Sequence, residues 1–205
     1  MIILGLTGSI GMGKTTAGNR FRDLGVPVFD ADAVVHKLLG PDGEATAEVA
    51  AAFPGAATDG AIDRARLGAL VFGQPDELRR LEAILHPKVR DARERFLKHA
   101  ERSGETMVVV EVPLLFEGGS DAECTHVAVV SAPPAVQRAR VLKRPNMTPQ
   151  KLDAILAQQM PDEEKRRRAD FVIPTGGDKA KSLQAIRDIV TLLRRPFADP
   201  SRPGA

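Results

Sequence analysis

Tryptophan and tyrosine are absent from the 205 residues, and phenylalanine occurs only eight times. Single-strand nucleic-acid binders stack bases on such rings, so that class of function is excluded. A single cysteine, Cys124, has no internal disulfide partner, which fits a reducing cytoplasm. Charge of one sign is also missing. Lys and Arg number 29 against 27 Asp and Glu, a net +2 that suits a polyanionic small substrate and gives no support for DNA binding. No apolar run approaches the ~18 residues of a membrane-spanning helix. Met1–Leu6 is apolar, but no basic residues precede it and glycines follow at once, so it reads as a core strand and not a signal peptide. A cytoplasmic location without membrane partners is therefore expected.

The residues that are present make a packed domain. Hydrophobic residues are 43% and charged residues 27%, enough to bury a core and stay soluble. Residues 2–7 (IILGLT) read as a strand, Gly8–Gly13 as a glycine loop, and the spacing of Ala17, Phe21 and Leu24 as a helix stopped by Gly25. Val26–Phe29 is a second strand, completing a βαβ unit and hence a parallel sheet. Met107–Val112, Val127–Val130 and Phe171–Ile173 supply three more apolar strands, as a sheet covered on both faces requires. The expected fold is thus α/β with a mostly parallel five-stranded sheet. A final helix over about 179–195 carries Leu183, Ile186, Ile189, Val190 and Leu193 on one stripe. Residues 33–103 are helical in pattern, with turns near 40–43, 54–60 and 73–75 and a kink or split expected at His86-Pro87. Residues 135–165 form a second helical excursion with a turn at Arg144–Pro149, and the Pro-rich tail after Pro196 reads as frayed. No repeat or low-complexity tract occurs.

Gly8-Ser9-Ile10-Gly11-Met12-Gly13-Lys14-Thr15 matches GxxxxGK[ST] in the required strand–loop–helix setting. Glycines let successive backbone N–H groups face an anion, and the helix beginning at Lys14 adds its positive end. Lys14 is expected on the β- and γ-phosphates of ATP and the Thr15 hydroxyl on Mg²⁺, with Gly8, Gly11, Met12, Gly13 and Thr16 completing the ATP site. Asp30-Ala31-Asp32 follows the second strand. Asp32 can orient and deprotonate an acceptor hydroxyl, or cap a helix. His36 lies one turn on, as a substrate contact or a plain surface histidine. Glu111 ends the third strand, where it can hold Mg²⁺ or pair with a basic neighbour. The run Lys165-Arg166-Arg167-Arg168 after Glu163 and Glu164 reads mainly as a solvated helix face.

These features resemble the dephospho-CoA kinase family, which adds the 3′-phosphate in the last step of coenzyme A synthesis. The resemblance rests on LTGSIGMGKTT (6–16), GVPVFDAD (25–32), IDR (62–64), LEAILHP (81–87), EVPLLFE (111–117), QRARVLKR (137–144) and QMPDEEKRRRADFVI (159–173). It implies a phosphate-loop three-layer α/β/α core over about 1–32, 105–134 and 169–200. It also implies a helical insertion over 33–104 that binds the acceptor, and a lid over 135–168. ATP, Mg²⁺ and dephospho-CoA are the implied ligands. Asp32 matches the family's base, while Thr7, Arg64, His86, Leu115, Phe116 and Glu117 fall where the acceptor site is lined, Leu114 opening that last segment. Two positions depart from the family pattern. Ile155 stands where a lid arginine is usual, leaving Arg140 or Arg144, four apart on one helical face, to offset phosphoryl charge, and Pro174-Thr175 replaces a segment with Asn after the last strand. Kinases for another small acceptor, such as a nucleoside monophosphate, share the loop. A GTP-dependent switch lacks support because no NKxD segment occurs. A non-catalytic nucleotide-binding module would bind ATP without acceptor-stimulated ADP release.

Overall fold

A computed structural model describes residues 1–58 and 60–194. The elements in chain order are β1 (Ile2–Thr7), α1 (Lys14–Asp23), β2 (Val28–Asp30), α2 (Ala31–Leu38), α3 (Thr46–Ala52), β3 (Ala57–Thr58), β4 (Ala61–Ile62), α4 (Arg64–Val71) and α5 (Pro75–Arg102). They continue as β5 (Met107–Glu111), β6 (His126–Ser131), α6 (Pro134–Leu142), α7 (Pro149–Ala157), α8 (Asp162–Arg168), β7 (Phe171–Pro174) and α9 (Lys179–Leu193). The tail after Pro196 lies outside the described residues. Two compact units result, one of Met1–Val28 with the chain from Gly104 onward, the other of Phe29–Ser103.

The five-stranded sheet has the order β2-β5-β1-β6-β7. β1 runs parallel to both β5 and β6, and β6 parallel to β7, so the loop after β1 leaves the middle of the sheet. Side chains alternate across a strand, and β6 divides accordingly. Ala128 and Val130 face the layer that holds Phe21 of α1 and Ile186, Ile189 and Val190 of α9. Val127 and Val129 face Leu115 and Phe116 on the opposite side. Burial on both faces is what the unbroken apolar runs of β5 and β6 call for. α1 ends where Gly25, at φ 69°, turns the chain back.

The helical unit has its own apolar cluster, including Leu38, Val49, Phe53, Leu67, Leu81 and Leu85. Two features within it go beyond or against the sequence reading. The turn expected over 54–60 is present, and with it the short antiparallel β3–β4 pair, Ala57 with Ile62 and Thr58 with Ala61, which was not expected. Pro87 does not split α5, which runs unbroken for 28 residues. Leu81 and Leu85 before the proline and Val89 after it pack on the same cluster, and this outweighs the one hydrogen bond that proline removes.

Candidate active site

The phosphate loop is shaped by close contacts at its glycines. Gly11 and Gly13 have φ of 77° and 92°, a region that side chains disfavour. A Cβ on Gly11 would also lie 2.4 Å from Val141 Cγ2. Gly13 precedes α1, whose first turn contains no acidic residue to oppose an anion at the helix end. Met12 contributes backbone only, since its side chain is buried and its Sδ accepts the Ala132 N–H at 3.2 Å. Thr15 and Thr16 are exposed at the start of α1.

Lys14 donates to Glu111 Oε1 at 3.0 Å, joining the loop to the end of β5. Glu111 is 1% exposed, so the lysine lies over a carboxylate sealed into the core. The basic partner expected of Glu111 is thus the phosphate-loop lysine itself. A nucleotide phosphate competing for Lys14 would draw it away from that carboxylate. The Thr15 hydroxyl and the Glu111 carboxylate are hard oxygen donors of the kind Mg²⁺ prefers, and they fit an ion arriving with ATP.

Four side chains hold the loop from outside. Gln159 Oε1 accepts the Ile10 N–H at 3.1 Å, and Gln137 Nε2 donates to the Ile10 carbonyl at 2.8 Å. The Thr175 hydroxyl donates its one proton to the Met12 carbonyl, with the Ser131 carbonyl also within reach at 3.1 Å. Arg140 donates to the carbonyls of Gly11 and Thr175 at 3.4 and 2.5 Å. Arg140, expected to offset phosphoryl charge, is engaged here by the loop and the turn after β7. Its guanidinium is turned to backbone carbonyls, which draw it by the same attraction a phosphate would offer. Arg144 is exposed and lies beyond the end of α6, so the two arginines do not share a helical face.

After β5, Thr7 Oγ1 donates to the Pro113 carbonyl at 3.1 Å. Leu115 is fully buried and Phe116 is 7% exposed, both packed on β6. These two side chains, expected at the acceptor, are buried in the core, whereas Leu114 is exposed. Glu117 Oε1 accepts from the Met160 N–H at 2.8 Å and lies 2.9 Å from Lys165 Nζ. Burial pushes the Glu117 carboxyl up, but the hydrogen bonds from Lys165 and Met160 and the lysine charge outweigh it and hold it below the ordinary 4.5. Lys165 is completely buried, whereas Arg166, Arg167 and Arg168 are exposed as a solvated face.

In the helical unit, Asp30 caps α2 by accepting the Ala33 N–H at 3.0 Å. Asp32 lies in the first turn, exposed, and the capping task belongs to its neighbour. His36, one turn on, meets Arg64 at 2.8 Å between His36 Nδ1 and the guanidinium. Arginine can only donate, so in this contact Nδ1 accepts. Two residues widely separated in sequence are thereby brought together. His86 is exposed on α5. Gln137, Thr175 and the buried Lys165 were not legible as loop or core supports. A glutamine inside a helix and one lysine in a charge run give no pattern, and a lone threonine after a strand gives none either.

Among the described residues no helix is long and apolar enough to cross a membrane. The dephospho-CoA kinase family model matches residues 2–180. A dephospho-CoA kinase of Paramagnetospirillum magneticum is 56% identical over 209 aligned positions, covering 99% of both chains. The solved structure of TT1252 from Thermus thermophilus aligns with a TM-score of 0.81 and 34% identity over 95% of this chain and 98% of its own. A dephospho-CoA kinase structure from Campylobacter jejuni aligns with a TM-score of 0.64 and 25% identity over 93% of this chain and 96% of its own.

Proposed function

The chain belongs to the dephospho-CoA kinase family, and from that premise we propose that it transfers the γ-phosphoryl group of ATP to the ribose 3′-hydroxyl of dephospho-CoA, yielding coenzyme A and ADP. The observation that carries this reading is the phosphate loop, with Lys14 at the head of α1 and Glu111 beneath it. ATP binds along Gly8–Thr16, where backbone N–H groups and the helix end meet its phosphates. Lys14 leaves Glu111 for the β- and γ-phosphates as they bind. Mg²⁺ bound with ATP supplies positive charge to the phosphate oxygens, and Thr15 and Glu111 are the residues that would hold it.

The helical unit Phe29–Ser103 receives dephospho-CoA, with Arg64, His36 and His86 as its polar contacts. Asp32 orients the 3′-hydroxyl and takes its proton as the oxygen attacks the γ-phosphorus. Thr7, Leu114 and Glu117 support the acceptor side from the core. The segment 135–168 acts as a lid that excludes water, which would otherwise accept the phosphoryl group, and Arg144 offsets charge as it closes. Positioning and electrostatics supply the acceleration.

The test is ADP release from ATP and Mg²⁺ with and without dephospho-CoA. Strong stimulation by dephospho-CoA is expected. It should fall at least ~100-fold in Lys14→Ala and about 100-fold or more in Asp32→Asn. Stimulation surviving Asp32→Asn would move the base elsewhere. Absence of stimulation in the wild type would refute the acceptor.

A further inference from the structure

A loop that presents its N–H groups to an anion must turn its carbonyls the other way. Those carbonyls then need donors, because a buried unsatisfied carbonyl is costly. Here three consecutive carbonyls find one each. Ile10 is met by Gln137, Gly11 by Arg140, and Met12 by Thr175. The donors are themselves anchored. Gln137 is 7% exposed on α6. Thr175 is tied to β6 by its N–H to the Ser131 carbonyl at 2.8 Å, and its carbonyl accepts from Arg140. The turn at Thr175 fits against the loop because its neighbours are small. A Cβ on Gly176 would lie 2.1 Å from Pro133 Cδ, and one on Gly13 would lie 3.4 Å from Thr175 Cβ.

We propose that Gln137, Arg140 and Thr175 are positioning residues that fix the carbonyl edge of the phosphate loop, and thereby set its affinity for the β-phosphate of a nucleotide. Gln159 extends the device. By accepting the Ile10 N–H it withdraws that group from the phosphates and ties the loop to the chain just after α7. The proposal rests on the reading of the loop as an ATP site. It also gives Thr175, which stands where the family pattern differs, a task unconnected with the adenine ring.

The experiment is calorimetric titration of ADP and of AMP into the wild type, Thr175→Val, Thr175→Ser and Gln137→Leu, with thermal unfolding of each. Thr175→Val keeps the shape and removes the donor, and Thr175→Ser retains the donor. Thr175→Val and Gln137→Leu are each expected to weaken ADP binding about tenfold, the worth of one hydrogen bond to a carbonyl. AMP lacks the β-phosphate, so its affinity should hold, and Thr175→Ser should restore ADP binding. Unchanged ADP affinity in both Thr175→Val and Gln137→Leu would overturn the proposal. Equal losses for ADP and AMP would overturn it too, by assigning Thr175 to the adenosine moiety or to general stability. A Thr175→Val protein that unfolds leaves Gln137→Leu to decide. Wild-type protein that binds no ADP would overturn both the proposal and the ATP-site reading, whereas failure in the variants alone sinks only the proposal.

Discussion

At the scale of residues, the charged pairs sort by burial. Surface pairs such as Arg20 with Asp23 are exposed on both sides, and pairs of that kind contribute about 0–1 kcal/mol. Lys165 with Glu117 differs, because the lysine is 0% exposed and the glutamate 18%. Removing the partner of a fully buried charge is costly, whereas removing the buried charge itself leaves a carboxylate that water can still reach. Glu117→Gln is therefore expected to destabilise by about 3 kcal/mol at neutral pH, and Lys165→Met by clearly less, in urea unfolding. Equal costs would mean that the burial difference decides nothing. The pH dependence has a definite sign. The folded-state pKa of Glu117 is below 4.5, so the stability it contributes is fully present above 4.5 and is lost as pH falls through the lower, folded value. The gap between wild type and Glu117→Gln should narrow over that acidic window and stay constant from there to neutrality.

At the scale of elements, α1 shows two effects in competition. Gly18 sits inside the helix, where glycine costs roughly 0.5–1 kcal/mol relative to alanine. Helix propensity alone predicts that Gly18→Ala stabilises. A Cβ at that position would lie 2.4 Å from Glu111 Oε2. A glutamate on the surface would swing aside cheaply, but Glu111 is 1% exposed and bonded to Lys14, so its displacement breaks a sealed ion pair. Clash should win. Gly18→Ala is expected to lower stability by about 1–3 kcal/mol and to weaken ATP binding, read by urea unfolding and by titration. A more stable variant would show that the carboxylate relaxes without cost. The same glycine explains how a helix can lie directly over the acid that ends β5.

At the scale of the whole molecule, the two units have separate apolar clusters, so each has a core of its own. Nucleotide binding at the phosphate loop stabilises the folded chain by mass action, by about 2.7 kcal/mol at a ligand concentration of 100 Kd. ADP should therefore raise the unfolding midpoint of the wild type with the logarithm of its concentration above Kd. Lys14→Ala removes a partner of the buried Glu111 carboxylate, so it should unfold below the unliganded wild type, and it should respond little to ADP. A full ADP response in that variant would place nucleotide binding away from the loop.

Local pattern determined much of this protein. The strand–glycine–lysine order of residues 2–15 named the phosphate loop, because backbone curvature, helix start and anion chemistry are all set by neighbours in sequence. The strands β1, β5 and β6 were legible because sheets buried on both faces demand unbroken apolar runs. Boundaries shifted where the signal was short: β2 begins at Val28, not Val26, and Asp30 takes the cap that Asp32 could equally have made. Continuity of α5 through Pro87 was decided by packing on both sides of the proline. Only the tertiary structure could bring Gln137, Gln159 and Thr175 to the loop, since they reach Ile10 and Met12 across 127, 149 and 163 residues of chain. It alone separated Lys165 from the three arginines that follow it. A hydrogen bond depends on where a donor lies in space, and a period of two or 3.6 residues contains no information about partners so distant.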